Sequence, residues 1–209
     1  MSFFFQLVVS GLTTGAIYAA LALALVLIFR ATNVVNFGQG EMATFSAYGA
    51  WQLMQWGVPL WLAVLASLVA AFAIGIVTFR LIIRPMMDAP VEATVVVTLG
   101  ILVLFQAACM WIWGAEQLSF PNLFPDGGFS IGDVRVLVSA VGTLAILLAI
   151  ALAMGSIFRF TKLGLSMRAA AFDRTRSVLV GVDVERMLML GWGFAAVIGA
   201  LAAILIAPR

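Results

Sequence analysis

The sequence predicts an all-α polytopic membrane protein, and three observations support that fold class. Of the 209 residues, 65% are hydrophobic and only 10% are charged, whereas soluble globular domains carry about 25% charged residues. The apolar residues form uncharged runs of the roughly 20 residues that are needed to cross a bilayer. The charged residues cluster at the ends of these runs, as in proteins whose topology is set by the membrane.

The first uncharged run covers residues 2–29 and ends at Arg30. No basic residue precedes this run, so we interpret it as a retained span rather than a cleaved signal. Small residues recur at every fourth position within it, a spacing that lets helices approach one another closely. They form two series, Gly11, Gly15 and Ala19 in one and Ala16, Ala20 and Ala24 in the other.

The second segment is too short to be an ordinary span. Residues 31–41 are too polar to face lipid, and the uncharged residues 42–56 would make a helix of only about 22 Å. Irregular backbone is tolerated at membrane depth where it is packed in protein or lines a cavity. We therefore predict that residues 33–41 enter the bilayer as a broken or re-entrant segment, a feature that is typical of binding sites in transporters.

The remaining chain contains four further uncharged spans and brings the total to about six. The spans are predicted at residues 58–79, 93–114, 136–158 and 187–207. Together they define a single membrane domain over residues 1–209. The chain ends in Ala207-Pro208-Arg209 at the end of the last span, which favours a C-terminally truncated product.

The basic residues predict the orientation of the spans. Residues 159–186 contain six of the eleven basic residues, and residues 80–92 contain Arg80 and Arg84. Cytoplasmic loops are enriched in lysine and arginine, so we assign both segments to the cytoplasm. The loop at 115–133 and the N-terminus are then outside, and every span alternates in direction without conflict.

The composition argues against an enzyme. The chain has no histidine and a single cysteine, Cys109, which excludes histidine-based catalysis, a disulfide within the chain and a cysteine metal cluster. An intramembrane enzyme would need a nucleophile with a base, and Glu41 is the only acid in an apolar region. We predict no catalytic residue, no metal and no cofactor.

Glu41 is the most informative single residue. A carboxylate within or beside the bilayer costs several kcal/mol, so it requires an explanation. In one interpretation it pairs with a basic partner or stabilises the N-terminus of the following helix. In the other, Asn36, Gln39 and Glu41 line a polar substrate path, with Gly38 and Gly40 allowing close backbone approach. The residue pattern leaves both open.

The basic segment predicts an amphipathic helix of about 15 residues between Leu163 and Val180. Its apolar face consists of Leu165, Ala169, Phe172 and Leu179. Gly181 follows as a helix breaker. Such a helix could lie on the lipid surface or dock into a groove on a partner protein, and the spacing does not decide between them.

Three ordered motifs resemble those of LivH-type permeases of branched-chain amino-acid ABC importers. They are G-L-T-T-G-A-I-Y-A-A-L-A-L from Gly11, N-F-G-Q-G-E at residues 36–41, and T-K-L-G-L-S-M-R-A-A-A-F-D-R-T-R-S-V-L-V-G-V from Thr161. Family members usually carry alanine where this chain has Gly38. The resemblance implies a permease in a bacterial-type inner membrane that pairs with a second permease, two cytoplasmic ATPases and an extracytoplasmic solute-binding protein.

The resemblance also assigns a role to the segment at 159–186, the cytoplasmic coupling loop that contacts the ATPase. Five residues match its recurring positions: Gly164, Arg168, Ala169, Asp173 and Gly181. It implies ATP-driven import of branched-chain amino acids by alternating access. A permease for urea or short amides, or an ATP-independent channel or secondary transporter, remains the alternative. Family members continue beyond this length with further spans.

Overall fold

The computed structural model describes residues 2–32, 34–87, 89–115, 118–125, 127–131 and 134–208. The helices in chain order are α1 (Ser2–Thr32), α2 (Gln39–Gln55), α3 (Leu60–Thr78), α4 (Val91–Trp113), α5 (Val138–Phe160), α6 (Lys162–Phe172), α7 (Arg174–Leu179) and α8 (Val184–Ile206). A π-helical turn, Phe79–Ile83, and a 3-10 turn, Arg84–Met86, continue α3. The antiparallel hairpin of β1 (Gly128–Ile131) and β2 (Val134–Leu137) precedes α5.

Five of these helices are long and apolar enough to cross a membrane. They are α1, α3 with its extension, α4, α5 and α8, and each provides at least 23 suitable residues. The sixth segment, α2, has 17 residues and a length of about 26 Å. The predicted class, an all-α polytopic membrane protein with about six segments of which one is short, is confirmed.

Helix α8 lies at the centre of the bundle, and α1, α2 and α3 all pack against it. Its small residues Gly191, Ala195 and Gly199 are buried. Close packing explains the small residues on the facing helix as well. A Cβ atom at Gly75 of α3 would lie 2.6 Å from the carbonyl oxygen of Trp192. Such contacts let two membrane helices approach at backbone distance.

Helix α2 is fixed by one hydrogen bond to each of three neighbouring helices. Gln39 donates to the Ala195 carbonyl of α8 at 2.9 Å, and Ser67 of α3 donates to the Ser46 carbonyl at 2.5 Å. The Trp113 indole of α4 donates to the Gln52 side chain at 3.0 Å. Interhelical hydrogen bonds stabilise polar segments in a membrane. This explains how a short and comparatively polar helix is held inside the bundle.

The start of α2 lies near the middle of the bundle. Its contact on α8, Ala195, is eleven residues beyond the first residue, Val184, and therefore about 16 Å along that helix. The chain reaches this depth through the non-helical residues 34–38. This agrees with the prediction of a broken segment. The predicted irregular segment was too long, however, because α2 begins at Gln39 and includes Glu41. Asn33 lies outside the described residues.

The two segments predicted to be cytoplasmic lie at the same end of the bundle. Arg84, after α3, forms an ion pair with Glu185, in the first turn of α8, at 2.8 Å. The described part of the 115–133 loop lies at the other end, where the Trp51 indole donates to the Ser119 carbonyl. The relative placement of the loops therefore agrees with the predicted alternation of spans.

Two expectations about local structure were wrong. The single amphipathic helix predicted between Leu163 and Val180 is two helices, α6 and α7, because Asp173 adopts an extended conformation and caps α7. The fifth span was predicted to begin at residue 136, but the hairpin extends to Leu137 and α5 begins at Val138. A side-chain cap at Asp173, and the backbone hydrogen bonds of the hairpin before α5, replaced the helical bonds that the apolar pattern favoured.

Candidate functional site

Asn36 shapes the non-helical entry into α2. Its Oδ1 accepts a hydrogen bond from the Gly38 backbone nitrogen at 3.0 Å, which closes an Asx turn. Its Nδ2 donates to Gln39 Oε1 at 3.3 Å. The side chain is completely buried. Asn36 therefore stabilises the turn that starts α2 in the interior of the bundle.

Gln39 connects this turn to the central helix. It is buried, and its Nε2 donates to the Ala195 carbonyl. A Cβ atom at Gly199, one turn further along α8, would lie 2.5 Å from the same Nε2. The small residues of α8 thus provide the space that the Gln39 amide occupies. A buried amide with satisfied hydrogen bonds specifies one arrangement of helices, since any other would leave it unpaired.

Gly38 allows α2 to contact α4 closely. A Cβ atom there would lie 2.6 Å from Ile101 Cγ2 and 3.0 Å from the Leu102 backbone nitrogen. Gly40, in contrast, is exposed and has no atom within 4 Å of such a Cβ. We expected close backbone approach at both glycines. Within the described chain it occurs at Gly38 and not at Gly40.

Glu41 lies in the first turn of α2 and is half-buried. Among the described residues, no basic side chain forms an ion pair with Glu41. The partial positive charge of a helix N-terminus stabilises a carboxylate in this position. Of the three residues predicted to line a path, Asn36 and Gln39 are buried, and Glu41 is partly accessible near the middle of the bundle.

Beyond Glu41, the accessible face of α2 continues into a cavity of about 240 Å³. Thr44, Tyr48 and Trp51 line it from α2, and Ala203 and Ile206 line it from α8. Thr44 follows Glu41 by three residues, so both belong to the same side of the helix. The carboxylate, a hydroxyl and two aromatic rings therefore follow one side of α2 from mid-depth towards the end that carries the 115–133 loop.

A second region of interest is the corner between α5 and α6. Thr161 Oγ1 donates to the Ile157 carbonyl at 2.6 Å and accepts from the Gly164 backbone nitrogen at 3.1 Å. A Cβ atom at Gly164 would collide with the Ile157 carbonyl oxygen and would lie 2.5 Å from the Phe158 Cα. The corner is consequently tight, and α6 cannot move far without moving the end of α5.

Helix α6 has one face against the membrane domain and one face away from it. Gly164, Met167 and Ala170 are buried, and Met167 and Ala170 occupy successive turns on the inner side. Leu165 and Phe172 are 61% and 90% exposed on the outer side, and Leu179 of α7 is 80% exposed. Most of the apolar face predicted for this segment is therefore largely exposed in the described chain.

Asp173 and Gly181 define the ends of α7. Asp173 Oδ1 accepts from the Arg176 backbone nitrogen at 2.9 Å, and Oδ2 pairs with the Arg176 guanidinium at 3.1 Å. Gly181 has a φ of 84°, and the Val182 nitrogen donates to the Ser177 carbonyl at 2.9 Å. Together with the bond from the Gly181 nitrogen to the Val178 carbonyl, at 3.0 Å, this forms a Schellman motif, in which glycine is favoured because φ is positive. Gly181 is confirmed as the helix breaker.

The five predicted coupling residues thus share one segment but differ in their surroundings. Gly164, Asp173 and Gly181 determine its backbone, Ala169 is half-buried, and Arg168 is exposed. Sequence reasoning missed Thr161, although a threonine directly before a run of helix formers is a typical N-cap signal. It also missed Val178 and Val180, which are exposed beside Leu179.

The fold and these two regions define a polytopic membrane protein with a broken segment at mid-depth and an exposed helical segment at one end. The sequence model of the family described as "Branched-chain amino acid transport system / permease component" matches residues 7–209. The chain belongs to this family of membrane permeases. Its members are transport components rather than enzymes, and the resemblance stated from the motifs is confirmed.

Similar proteins agree with this assignment over nearly the full chain. The high-affinity branched-chain amino acid transport system permease protein LivH of Escherichia coli K12 is 24% identical over 98% of this chain and 70% of its own length. The corresponding permease protein BraD of Pseudomonas aeruginosa is 26% identical over 97% of this chain and 70% of its own length. The probable branched-chain amino acid transport permease protein LivH of Methanocaldococcus jannaschii is 28% identical over 82% of this chain and 56% of its own length. No solved structure matches this chain significantly.

Proposed function

We propose that this chain is the permease subunit of an ATP-driven importer of branched-chain amino acids. Its family and the names of its relatives, which describe branched-chain amino acid transport, support this proposal. In the proposed complex, a second permease subunit lies beside this chain and two cytoplasmic ATPase subunits hydrolyse ATP. An extracytoplasmic solute-binding protein delivers the amino acid.

The charge distribution supports one orientation of the chain. Segments 80–92 and 159–186, which hold eight of the eleven basic residues, are joined by the Arg84–Glu185 ion pair at one end of the bundle. We assign this end to the cytoplasm because cytoplasmic loops are enriched in lysine and arginine. Ile28, near the end of α1, packs in the same cluster as Ala170 and Leu188. The N-terminus of α1 is therefore assigned to the outside.

The observation that carries the proposal is the outer face of α6 and α7. Leu165, Phe172 and Leu179 project from two short helices that follow directly from a tight corner with α5. Exposed apolar side chains at helical spacing fit an apolar groove on a partner protein. We propose that the ATPase subunit provides this groove, and that Arg168 and Asp173 fix the orientation of the segment in it.

We propose that movement of this segment produces alternating access. The Thr161 and Gly164 contacts connect α6 to α5, and Ala170 packs in the same cluster as Leu188 of α8. A displacement of α6 by the ATPase would therefore reach two spans at once. The small residues Gly191, Ala195 and Gly199 of α8 would allow α2 to shift along it, and such a shift would break the hydrogen bond from Gln39 to the Ala195 carbonyl.

Glu41 is our candidate for the substrate path, with Asn36 and Gln39 as the residues that position it. An amino acid carries an α-ammonium group, and a carboxylate near the middle of the membrane would compensate for the lost hydration of that cation. The apolar and aromatic lining of the adjoining cavity would suit a branched aliphatic side chain.

A matched pair of leucine variants tests the docking surface. Leu179→Ser removes an exposed apolar side chain of α7. The control, Leu81→Ser, removes a leucine that is 69% exposed at the same end of the bundle but lies outside α6 and α7. We expect Leu179→Ser to reduce amino acid uptake and ATPase association by about tenfold, since the loss of a buried interface anchor costs about 1–2 kcal/mol. Leu81→Ser is expected to behave as the parent chain. Equal uptake and association in both variants would contradict the docking assignment.

A further inference from the structure

A groove with a volume of about 580 Å³ lies between α1, α5, α6 and α8, at the end of the bundle that carries α6. Leu23 and Val26 line it from α1, Met154 and Gly155 from α5, and Arg168 and Phe172 from α6. Its volume lies in the range of sites that hold organic ligands. The groove is separate from the accessible face of α2. It shares Arg168 and Phe172 with the segment proposed above to contact an ATPase, so the groove is considered in the chain alone.

Among the described residues, the lining of this groove is apolar except for one cation, Arg168. Its guanidinium forms no ion pair with any side chain in the described ranges. Residues 159–172 also contain Arg159 and Lys162 but no acid. The described part of the groove therefore combines an apolar lining with one unpaired guanidinium, that of Arg168.

The position of the groove relates it to the membrane surface. Val26 and Phe29 of α1 are 52% and 48% exposed, so this wall of the groove is open on its outer side. Both residues lie within the last two turns of α1, and Arg168 belongs to the helix that directly follows the last residue of α5. Since α1 and α5 are long and apolar enough to span a membrane, this part of the groove lies at the end of the two spans, where a bilayer has its headgroups.

We propose that this groove binds one anionic phospholipid, with an acyl chain along α1 and α5 and the phosphate on Arg168. A guanidinium binds phosphate oxygens through two parallel hydrogen bonds. Basic pockets between membrane helices are suited to anionic headgroups. The proposal requires only that the chain spans a membrane, and it does not rest on the transport function or on an ATPase partner.

Binding of defined lipids to the purified full-length chain tests this proposal. The detergent-solubilised chain is mixed with phosphatidylglycerol or with phosphatidylcholine of the same acyl chains, and bound lipid is counted by native mass spectrometry. We expect one phosphatidylglycerol to be retained in preference to phosphatidylcholine. Arg168→Gln should weaken phosphatidylglycerol binding by about tenfold, because a charge-assisted hydrogen bond to the phosphate is lost, and Arg168→Lys should lose less.

Two glycine variants separate the groove from general lipid contact. A Cβ atom at Gly155 has no atom within 4 Å, so in Gly155→Leu the new side chain enters the groove and should displace the lipid. Gly100→Leu introduces the same side chain at an equally open position on α4 and should bind lipid as the parent chain does. Equal retention of both lipids by the parent chain, unchanged binding in Arg168→Gln, or complete displacement by inorganic phosphate would overturn the proposal.

Discussion

The contact between Gly164 and the end of α5 allows a quantitative prediction. In Gly164→Ala the new Cβ atom would lie 2.5 Å from both the Cα and the carbonyl oxygen of Phe158. Ordinary contacts between carbon atoms are about 3.5–4.0 Å, so α6 must move by about 1 Å. The atoms in the way belong to the backbone, which cannot rotate aside as a side chain does. We therefore expect a loss of about 1–3 kcal/mol in the free energy of unfolding.

The control for this prediction is Gly100→Ala, because the added Cβ atom has no neighbour within 4 Å. Alanine is favoured over glycine in helices by about 1 kcal/mol, so this variant should be neutral or slightly stabilised. Reversible unfolding in detergent micelles measures both variants against the parent chain. If Gly164→Ala is as stable as Gly100→Ala, the tight corner between α5 and α6 does not exist and the proposed rigid transmission fails with it.

Two further predictions concern buried and capping side chains. Gln39→Leu removes the hydrogen bond to the Ala195 carbonyl, and we expect it to destabilise the chain by about 1–2 kcal/mol. Gln55→Leu, at the exposed last residue of α2, should change the unfolding midpoint little, and equal effects of the two would argue against the role of Gln39. Asp173→Ala removes the α7 cap and should cost about 1 kcal/mol, whereas Asp173→Asn should retain the cap because asparagine is an equally good N-cap. If Asp173→Asn also reduces ATPase coupling at unchanged stability, the charge itself acts in docking; normal coupling in both variants would contradict that role.

The sequence predicted the spans well because they depend on composition over many residues. Uncharged runs that are bounded by charged residues located α1, α3, α4, α5 and α8. The short α2 was anticipated for the same reason, since the uncharged run after Glu41 was interrupted by Gly57 before it could span the bilayer. Gly57 indeed ends α2 with a φ of 86°.

The break between α6 and α7 has a local physical cause. The apolar pattern from Leu163 to Val180 is continuous, and Asp173 interrupts it only through its own hydrogen bonds to the following turn. Side-chain capping competes with helix continuation, and periodicity alone does not show which of the two is more stable. Gln39 and Glu41 lie in α2 for a different reason: helical hydrogen bonding already begins with the bond from the Met42 nitrogen to the Gly38 carbonyl, without a side-chain cap.

The partners of buried polar groups could not be read from the chain. Asn36 and Gln39 were grouped with Glu41 because all three are polar residues in an apolar region. Gln39 bonds instead to a carbonyl 156 residues away in the chain. A local sequence pattern contains no information about a contact between residues so far apart in the chain. Only the fold therefore shows that Asn36 and Gln39 are buried positioning residues and that the Glu41 carboxylate is accessible.

Reconstituted uptake tests the central claim most directly. The chain is incorporated into liposomes alone, or together with its second permease subunit and ATPase subunits, and accumulation of leucine in the presence of the solute-binding protein is measured with and without ATP. We expect accumulation against a gradient only in the complete complex and only with ATP. Leucine uptake by the chain alone without ATP would contradict the account and would identify a channel or secondary transporter instead.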